Sequence, residues 1–344
     1  MINWLKKLIE IESISRNEKE ITDFLESEMK KMSGELKRIN NALFWQCPNF
    51  SADKKTIALV SHTDTVPFVE NKWQITRPLS PLEKDGKIYG RGSSDMKGGL
   101  AVILDIISGK KFGDKFNVIA IFYDREELGF PNGITDLLEA KVLPQIDLAI
   151  VPEPTERQVV HGVFTTFRFR TVSHGKAVHS SKAYLGENAI YKLLPAIEAI
   201  KNISLEEVEG VKEAISVNLI SGGTADNIVP DKAEISIDCR FDPKLSQQEV
   251  IARLPDFGDL EFLEDGFFPG FVTNPKTEIL SDFITLVGST KLEPYWTDIA
   301  QLGLRGIPAV NFGPGSADQA HTADEFVTVS DLKFVRDKLV EFLK

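Results

Sequence analysis

Cysteine is scarce in this chain, because only Cys47 and Cys239 occur among 344 residues and they form no Cys-x-x-Cys pair. This scarcity excludes a disulfide framework and a zinc site built from cysteines, and it indicates a reducing compartment. Positive charge is also in the minority, since 40 lysines and arginines stand against 51 acidic residues and give a net charge of −11. A chain this acidic repels a phosphate backbone, and we find no basic patch in the sequence, so nucleic acid is not an expected partner.

Long hydrophobic runs are missing as well. The longest apolar stretches, such as residues 118–123, have the length of a strand and fall far short of the about 20 residues that a membrane helix needs. At the N-terminus, Lys6, Lys7 and Glu10 interrupt the apolar run, which predicts an amphipathic helix and not a secretory signal. We therefore expect a soluble, cytoplasmic protein that has no membrane partner.

Sequence motifs of three common enzyme classes are absent. The chain has no Gly-x-Ser-x-Gly elbow of a serine hydrolase and no Gly-Lys-Ser/Thr of a P-loop, and neither cysteine stands beside a histidine. The glycine-rich segment 89–99 fails the dinucleotide-binding spacing, because Asp95 stands where the third glycine should be. An aspartate there would repel a phosphate but suit a cation.

The chain is long enough for about two domains. Up to about residue 165, predicted helices (2–12, 17–32, 96–107) alternate with short apolar strands (56–61, 117–123, 147–151). This alternation predicts a mostly parallel sheet covered on both faces. From about residue 166, strands at 167–172, 214–220 and 233–240 with helices at 187–201 and 246–254 indicate a small α+β insert. After about residue 271 the sequence pattern resembles that of the first region again. We therefore predict one discontinuous α/β domain, 1–165 and 272–344, interrupted by a smaller domain, 166–271.

Five polar clusters follow predicted strands or precede a predicted helix: SHTDTVP (61–67), YGRGSSDMKGG (89–99), YDREELG (123–129), VPEPT (151–155) and the NFGPG and AHT segments (311–322). Each alone has a simpler explanation as a turn or a solvated acidic loop. Because ligands of α/β sheets bind at the carboxyl ends of the strands, the clusters are expected to meet. Together they supply two histidines and three or four carboxylates, the mixed ligands of a two-zinc hydrolase.

These strings, in this order, resemble the di-zinc amidohydrolase family that contains acetylornithine deacetylase, succinyl-diaminopimelate desuccinylase, aminoacylases and related carboxypeptidases. The resemblance covers nearly the whole chain. It implies a zinc-peptidase-like catalytic domain with a mostly parallel sheet, interrupted by a ferredoxin-like α+β domain that serves as lid and dimer interface. It also implies a homodimer, a small N-acyl amino acid substrate and two Zn²⁺ per chain, for which Co²⁺ can substitute.

The resemblance further implies roles for single residues. The implied zinc ligands are His62 and Glu153 on one ion, Glu127 and His321 on the other, and Asp95 bridging both. Glu126 is the implied general base, Asp64 the partner of His62, and His179 an oxyanion donor that reaches across the dimer. The implied substrate-binding residues are Asn227, Arg240, Thr297 and Gly315. The family also places a cis peptide bond at Asp95-Met96.

Within the family, segments 122–127, 296–300 and 306–315 are most similar to the succinyl-diaminopimelate desuccinylases of the actinobacterial type. This similarity implies N-succinyl-LL-2,6-diaminopimelate as the substrate, in the biosynthesis of lysine and cell-wall precursors. Thr165 and Thr166 stand where some desuccinylases carry an arginine, so an N-acetylornithine or N-acetyl-lysine deacetylase is the alternative. A metal-free binding protein that retains the fold is a third hypothesis, and the complete ligand set argues against it.

Overall fold

The structure is a computed structural model that describes residues 1–344, and the chain forms two compact units. The first unit contains Met1–His161, Thr273–Lys291 and Gln301–Lys344, and the second contains Gly162–Val272 and Leu292–Ala300. The units differ from the predicted domains mainly in the segment Leu292–Ala300. This segment groups with the insert because Glu293 O accepts a hydrogen bond from Phe164 N at 3.1 Å and Trp296 Nε1 donates to Pro269 O at 3.0 Å.

The elements are numbered in chain order. The helices α1 to α9 are Ile2–Glu10, Lys19–Met29, Lys97–Ser108, Gly133–Glu139, Ala189–Lys201, Gln247–Arg253, Glu278–Val287, Ile299–Gly303 and Val329–Phe342. The strands β1 to β18 are Glu35–Ile39, Ala42–Gln46, Thr56–His62, Leu82–Lys84, Lys87–Tyr89, Asn117–Tyr123, Leu148–Pro154, Val159–Val163, Thr165–His174, Glu207–Val208, Val211–Lys212, Ala214–Gly222, Lys232–Phe241, Glu261–Phe268, Phe271–Val272, Thr290–Glu293, Ala309–Gly313 and Phe326–Thr328. Short 3₁₀ helices lie at Glu70–Lys72, Glu126–Leu128, Ser180–Leu185 and Ala317–Gln319.

The first unit is built on a sheet with the strand order β1-β2-β6-β3-β7-β17-β8. Strand β3 pairs in parallel with β6 and β7, and β17 pairs in parallel with β7. Every residue of β3, β6, β7 and β17 is buried, as expected for strands covered on both faces. The predicted α/β fold with a mostly parallel central sheet is therefore confirmed. The carboxyl ends of these four strands lie at one edge of the sheet.

A small antiparallel sheet in the same unit, of strand order β18-β5-β4, joins distant parts of the chain. Phe326 pairs with Tyr89, and Gly90 N donates to Glu325 O at 2.9 Å. The residues just before β18 therefore lie against the glycine-rich segment that follows β5.

The second unit contains a four-stranded antiparallel sheet of order β12-β13-β9-β14. Buried and partly buried residues alternate along β13, which is typical of a sheet with one face on the core. The core of this unit is rich in phenylalanine, and the rings of Phe167 and Phe169 stack at 5.4 Å. Strand β12 lies at the edge of the sheet and pairs only with β13.

Some elements have no counterpart in the sequence prediction. Strands β1, with the sequence ELKRI, and β14, with the sequence EFLEDGFF, carry too many charges to show an apolar run. Both cysteines are buried and free. None of the helices has the length and apolar character that crossing a membrane would require.

Candidate metal centre and active site

Two histidines and three carboxylates meet in the first unit. The Nε2 atom of His62 lies 3.2 Å from Asp95 Oδ1 and 3.8 Å from Glu153 Oε1. The Nε2 atom of His321 lies 3.3 Å from Asp95 Oδ2 and 3.0 Å from Glu127 Oε2. Each histidine thus faces a different oxygen of Asp95. The Asp95 carboxylate therefore lies between two groups of donor atoms, each made of one histidine nitrogen and one glutamate oxygen.

The sheet explains why three of these five side chains converge, and two loops bring in the others. His62 ends β3 and Glu153 lies near the end of β7, while Glu127 lies in the 3₁₀ turn that follows β6. Asp95 precedes α3, and the peptide bond between Asp95 and Met96 is cis, as expected from the sequence. His321 follows the 3₁₀ helix Ala317–Gln319.

The donor atoms fit a divalent cation. Ligand atoms of His62, Asp95 and Glu127 all lie within 4.8 Å of one another. The Oε1 atom of Glu127 is buried and has no hydrogen-bond partner, which is costly for a carboxylate unless a cation compensates it. Imidazole nitrogen together with carboxylate oxygen is a donor set that zinc and related divalent metals accept.

The electrostatics of the cluster favour positive charge between the carboxylates. Hydrogen bonds to Asp95 and Glu127 raise the pKa of His321 to about 10. Burial opposes a charge on His62, but its hydrogen bonds to Asp64 and Asp95 outweigh burial and raise its pKa well above the ordinary value. Burial and the charge of Asp95 raise the pKa of Glu127. Protons and a metal ion would compete for the same donor atoms.

Asp64 connects His62 to the turn that carries the adjacent glutamates. The Nδ1 atom of His62 lies 3.0 Å from the main-chain oxygen of Asp64 and 3.5 Å from its Oδ1 atom. The carboxylate accepts the main-chain N–H groups of Glu126 at 3.0 Å and Glu127 at 3.2 Å. It also accepts the hydroxyl of Ser15 at 2.7 Å. The single residue Asp64 therefore orients the ring of His62 and holds the main chain of the Glu126–Glu127 turn.

Ser15 and Glu18 brace the same turn, and neither was predicted from the sequence. Glu18 is buried, and its Oε1 atom accepts the N–H of Arg125 at 3.2 Å. Arg125 adopts a left-handed conformation with φ of 66°, so this hydrogen bond supports a strained turn residue. The spacing from Ser15 to Glu18 is that of a helix capping box, a pattern that points to a helix start and not to an active site.

The second unit holds four of the predicted site residues. His179 and Asn227 are exposed neighbours, because Ser180 N donates to Asn227 O at 2.9 Å. The Nδ1 atom of His179 lies 2.8 Å from Ser181 Oγ. Thr297 is buried. Arg240 is partly buried, contacts Thr166 Oγ1 and lies 3.2 Å from Asp238 Oδ1 through its Nε atom.

Gly315 lies in the first unit, beside the turn that leads to Asp95. Its φ of +85° favours glycine. A Cβ atom at this position would lie 2.4 Å from Ser94 Oγ. The glycine therefore permits the close approach of the 313–316 loop to the Asp95 turn, while its predicted contact with substrate stays a prediction.

Comparison with known proteins gives consistent results. The model of peptidase family M20/M25/M40 matches residues 58–344. A succinyl-diaminopimelate desuccinylase of Corynebacterium glutamicum is 30% identical over 98% of this chain and 94% of the relative. A tripeptidase structure from Staphylococcus aureus aligns with a TM-score of 0.81 at 22% identity, covering 100% of this chain and 96% of that one. A dinuclear metal-binding peptidase of the M20 family from Bacillus subtilis aligns with a TM-score of 0.73 at 18% identity, covering 99% and 96%.

Proposed function

The chain belongs to peptidase family M20/M25/M40 and is a hydrolase, and we propose that it hydrolyses N-succinyl-LL-2,6-diaminopimelate to succinate and LL-diaminopimelate. The observation that carries the chemistry is the Asp95 carboxylate, which has a histidine nitrogen at 3.2 Å from one oxygen and another at 3.3 Å from the other. The substrate is inferred from the full-length relative in Corynebacterium. The reaction belongs to the biosynthesis of lysine and cell-wall precursors.

Two Zn²⁺ ions are the proposed cofactors, and Co²⁺ is expected to replace them. His62 and Glu153 would hold one ion and His321 and Glu127 the other, and Asp95 would contribute to both. Two ions bound there would polarise the amide carbonyl and make water more acidic. The fit rests on the donor types and on the orphaned oxygen of Glu127.

Glu126 is the proposed general base and acid. Its carboxylate takes a proton from the attacking water as the new C–O bond forms, and it gives that proton to the amine nitrogen as the C–N bond breaks. The main-chain N–H of Glu126 donates a hydrogen bond to Asp64 Oδ1 at 3.0 Å. This hydrogen bond fixes the backbone position from which the Glu126 side chain extends. Water is thus added across the amide, and the free amine and succinate leave.

The second unit is proposed to act as a lid and to join two chains into a homodimer. Tyr191 on α5 and Leu219 and Ile220 on β12 expose 70%, 69% and 60% of their surface. Large exposed apolar side chains on an edge strand and its neighbouring helix favour a protein partner, and a second copy would bury the same groups on both sides. His179 is exposed in the same unit and would donate to the developing oxyanion of the partner's substrate.

The free carboxylate of the N-succinyl group, beyond the scissile amide, needs a cation or several hydrogen-bond donors. Arg240, Asn227, Thr297 and Gly315 are the proposed contacts. The guanidinium of Arg240 already lies near both oxygens of Asp238, at 3.2 and 3.3 Å, so part of its charge is compensated. This pairing is the observation that favours the alternative, an N-acetylornithine or N-acetyl-lysine deacetylase.

The proposal is tested by measuring kcat/KM for N-succinyl-LL-diaminopimelate, N-acetylornithine, N-acetyl-lysine and a plain N-acyl amino acid. We expect the succinyl compound to be preferred by at least about 10²-fold, because a site built for its carboxylate leaves polar groups unpaired with an acetyl analogue. Chelation should abolish turnover, and Zn²⁺ or Co²⁺ should restore it. If an acetyl compound is hydrolysed faster than the succinyl compound, the protein is a deacetylase and the proposed desuccinylase activity is wrong.

Arg240→Ala should reduce kcat/KM for the succinyl compound far more than for any acetyl compound. Arg168→Ala is the matched control, because Arg168 Nε also donates to Asp238, at 2.9 Å, while its side chain is 54% exposed. Arg168→Ala should change kcat/KM by the same factor for every substrate. Equal losses for both variants would remove Arg240 from the substrate site.

A further inference from the structure

Glu325 is a fully buried carboxylate that the proposed chemistry does not use. Its Oε2 atom accepts Arg91 Nη1 at 2.9 Å and Gly92 N at 2.9 Å. Its Oε1 atom accepts Ser94 N at 2.8 Å and Asp95 N at 3.1 Å. Four donors from one short segment therefore converge on a single side chain.

The segment from Arg91 to Asp95 depends on this carboxylate for its shape. It forms a turn, and Gly92 has a φ of +78°, a conformation in which successive N–H groups can point toward one acceptor. Main-chain N–H groups that lie buried in such a turn need acceptors. Glu325 supplies them for Gly92, Ser94 and Asp95, while Arg91 balances its charge in a pair whose side chains are 4% and 0% exposed.

One of these hydrogen bonds and the position of Glu325 in the sequence connect it to the metal centre. The N–H group that it fixes belongs to Asp95, whose side-chain oxygens each face one histidine. Glu325 also follows His321 by only four residues in the segment AHTADE. The same short segment therefore supplies the second histidine and the acceptor for the main-chain N–H of Asp95.

We propose that Glu325 is a positioning residue that fixes Asp95 between His62 and His321 and thereby raises the affinity of the site for its second metal ion. The proposal rests on the metal centre of the proposed function. It assigns Glu325 no contact with substrate. Groups that orient metal ligands in this way typically contribute 10- to 100-fold to metal affinity.

The alternative is a purely structural role, and Asp324 provides the matched control. Its carboxylate accepts the N–H groups of Gln74 at 3.0 Å and Ile75 at 2.8 Å. Asp324 thus adjoins Glu325 and braces a loop in the same manner, but that loop carries none of the proposed ligands. A general loss of local order should affect both variants, whereas loss of ligand positioning should affect Glu325 alone.

The experiment titrates metal-free protein with Zn²⁺ and Co²⁺ and records the stoichiometry, the dissociation constants and the visible spectrum of bound Co²⁺. Glu325→Gln keeps the shape but turns an amide NH₂ toward N–H donors, so we expect the second ion to bind about 10- to 100-fold more weakly. Asp324→Asn should bind both ions within about twofold of the wild type, a change well below that range. Glu325→Asp keeps the charge beside Arg91 but shortens the reach, and it should give an intermediate loss.

Each outcome decides between the alternatives. Unchanged affinity in both Glu325 variants, or an equal loss in Asp324→Asn, overturns the positioning role. If Glu325→Gln does not fold by circular dichroism, the result of Glu325→Asp against Asp324→Asn decides alone. Wild-type protein that binds fewer than two ions would instead contradict the proposed metal centre, so the two failures are distinguishable.

Discussion

In the first unit, the side chains proposed to bind metal and move protons are buried or partly buried except His321, whose side chain is 53% exposed, whereas in the second unit two of the proposed groups lie on the surface. His62 and Asp64 are fully enclosed, and hydrogen bonds from strand ends and turns fix them. His179 and Asn227 are exposed, and their hydrogen bonds to Ser181 and Ser180 lie within the second unit. The difference indicates that contacts within one chain fix the proposed metal site of the first unit. The exposed groups of the second unit can act only on a molecule that comes to its surface.

The two sheets explain this contrast. The central strands of the first unit are buried on both faces, and their polar residues lie at or near the first and last positions of the strands. The second unit has an antiparallel sheet whose edge strand β12 carries mostly exposed residues. An edge with unpaired main-chain groups and exposed apolar side chains is suited to association. We therefore predict that variants in the first unit change chemistry within one chain, and that a His179 variant in the second unit shows an effect that depends on the proposed partner chain.

The largest expected effect lies at the two adjacent glutamates of the first unit. Glu126→Gln should lower kcat by about 10³-fold, because it removes the proposed base, while the protein still binds two metal ions. Glu127→Gln should also lose affinity for one ion, because its Oε2 atom lies 3.0 Å from His321 Nε2. Kinetics together with elemental analysis of both variants checks the contrast, and equal metal contents would show that the two roles are assigned wrongly.

A smaller effect is expected in the second unit. His179→Ala should lower kcat by about 10²-fold, because one oxyanion donor is lost, with metal binding intact. His174→Ala is the control, since His174 is exposed in the same unit and lies 3.1 Å from Glu261 Oε2. The control should keep nearly full activity.

Mixing His179→Ala subunits with Glu126→Gln subunits tests whether His179 acts on the partner chain. Random exchange in a dimer should restore on the order of a quarter of the wild-type activity, because half of the dimers carry one site with both groups intact. No recovery after verified subunit exchange, or full activity in a verified monomer, contradicts the arrangement.

A site residue can be predicted from the sequence when it lies next to a recognisable pattern, such as an apolar run. Strand β6 was predicted at its observed bounds, and β3 within one residue, because buried parallel strands are continuous apolar runs. Residues next to such runs, such as His62 and Glu153, are found from their position. Glu325 leaves no such signal, because its role is to accept the N–H group of Asp95, 230 residues away.

The same limit applies to the edges of the fold. Strand β1 is half exposed and charged, and its five residues pair with β2 in an antiparallel register. Its conformation is fixed by that pairing and not by its own apolar pattern. Sequence patterns report burial, whereas pairing and main-chain hydrogen bonds depend on which segments meet in space.

The smallest expected effect concerns the stability of the second unit and its dependence on pH. The buried Glu213 carboxylate accepts Arg253 Nη2 at 2.6 Å and the N–H groups of Glu206 and Asp242 at 2.9 and 3.0 Å. Burial opposes its charge, but the hydrogen bonds from Arg253 and the main chain prevail and lower the pKa of Glu213. A carboxyl whose pKa is lower in the folded state stabilises the fold above its unfolded pKa, and this stabilisation is lost as the pH falls through the folded value.

Glu213→Gln should therefore reduce the free energy of unfolding by about 1–3 kcal/mol at pH 7, because it weakens a charged hydrogen-bond network. The difference from the wild type should shrink below about pH 4, where the carboxyl takes up protons in the unfolded chain. Thermal unfolding followed by circular dichroism at pH 7 and at acid pH measures both values. Glu187→Gln removes the exposed pair with Lys192 and should leave the unfolding temperature unchanged. A deficit in Glu213→Gln that stays constant with pH would show that the carboxylate contributes through packing and not through its charge.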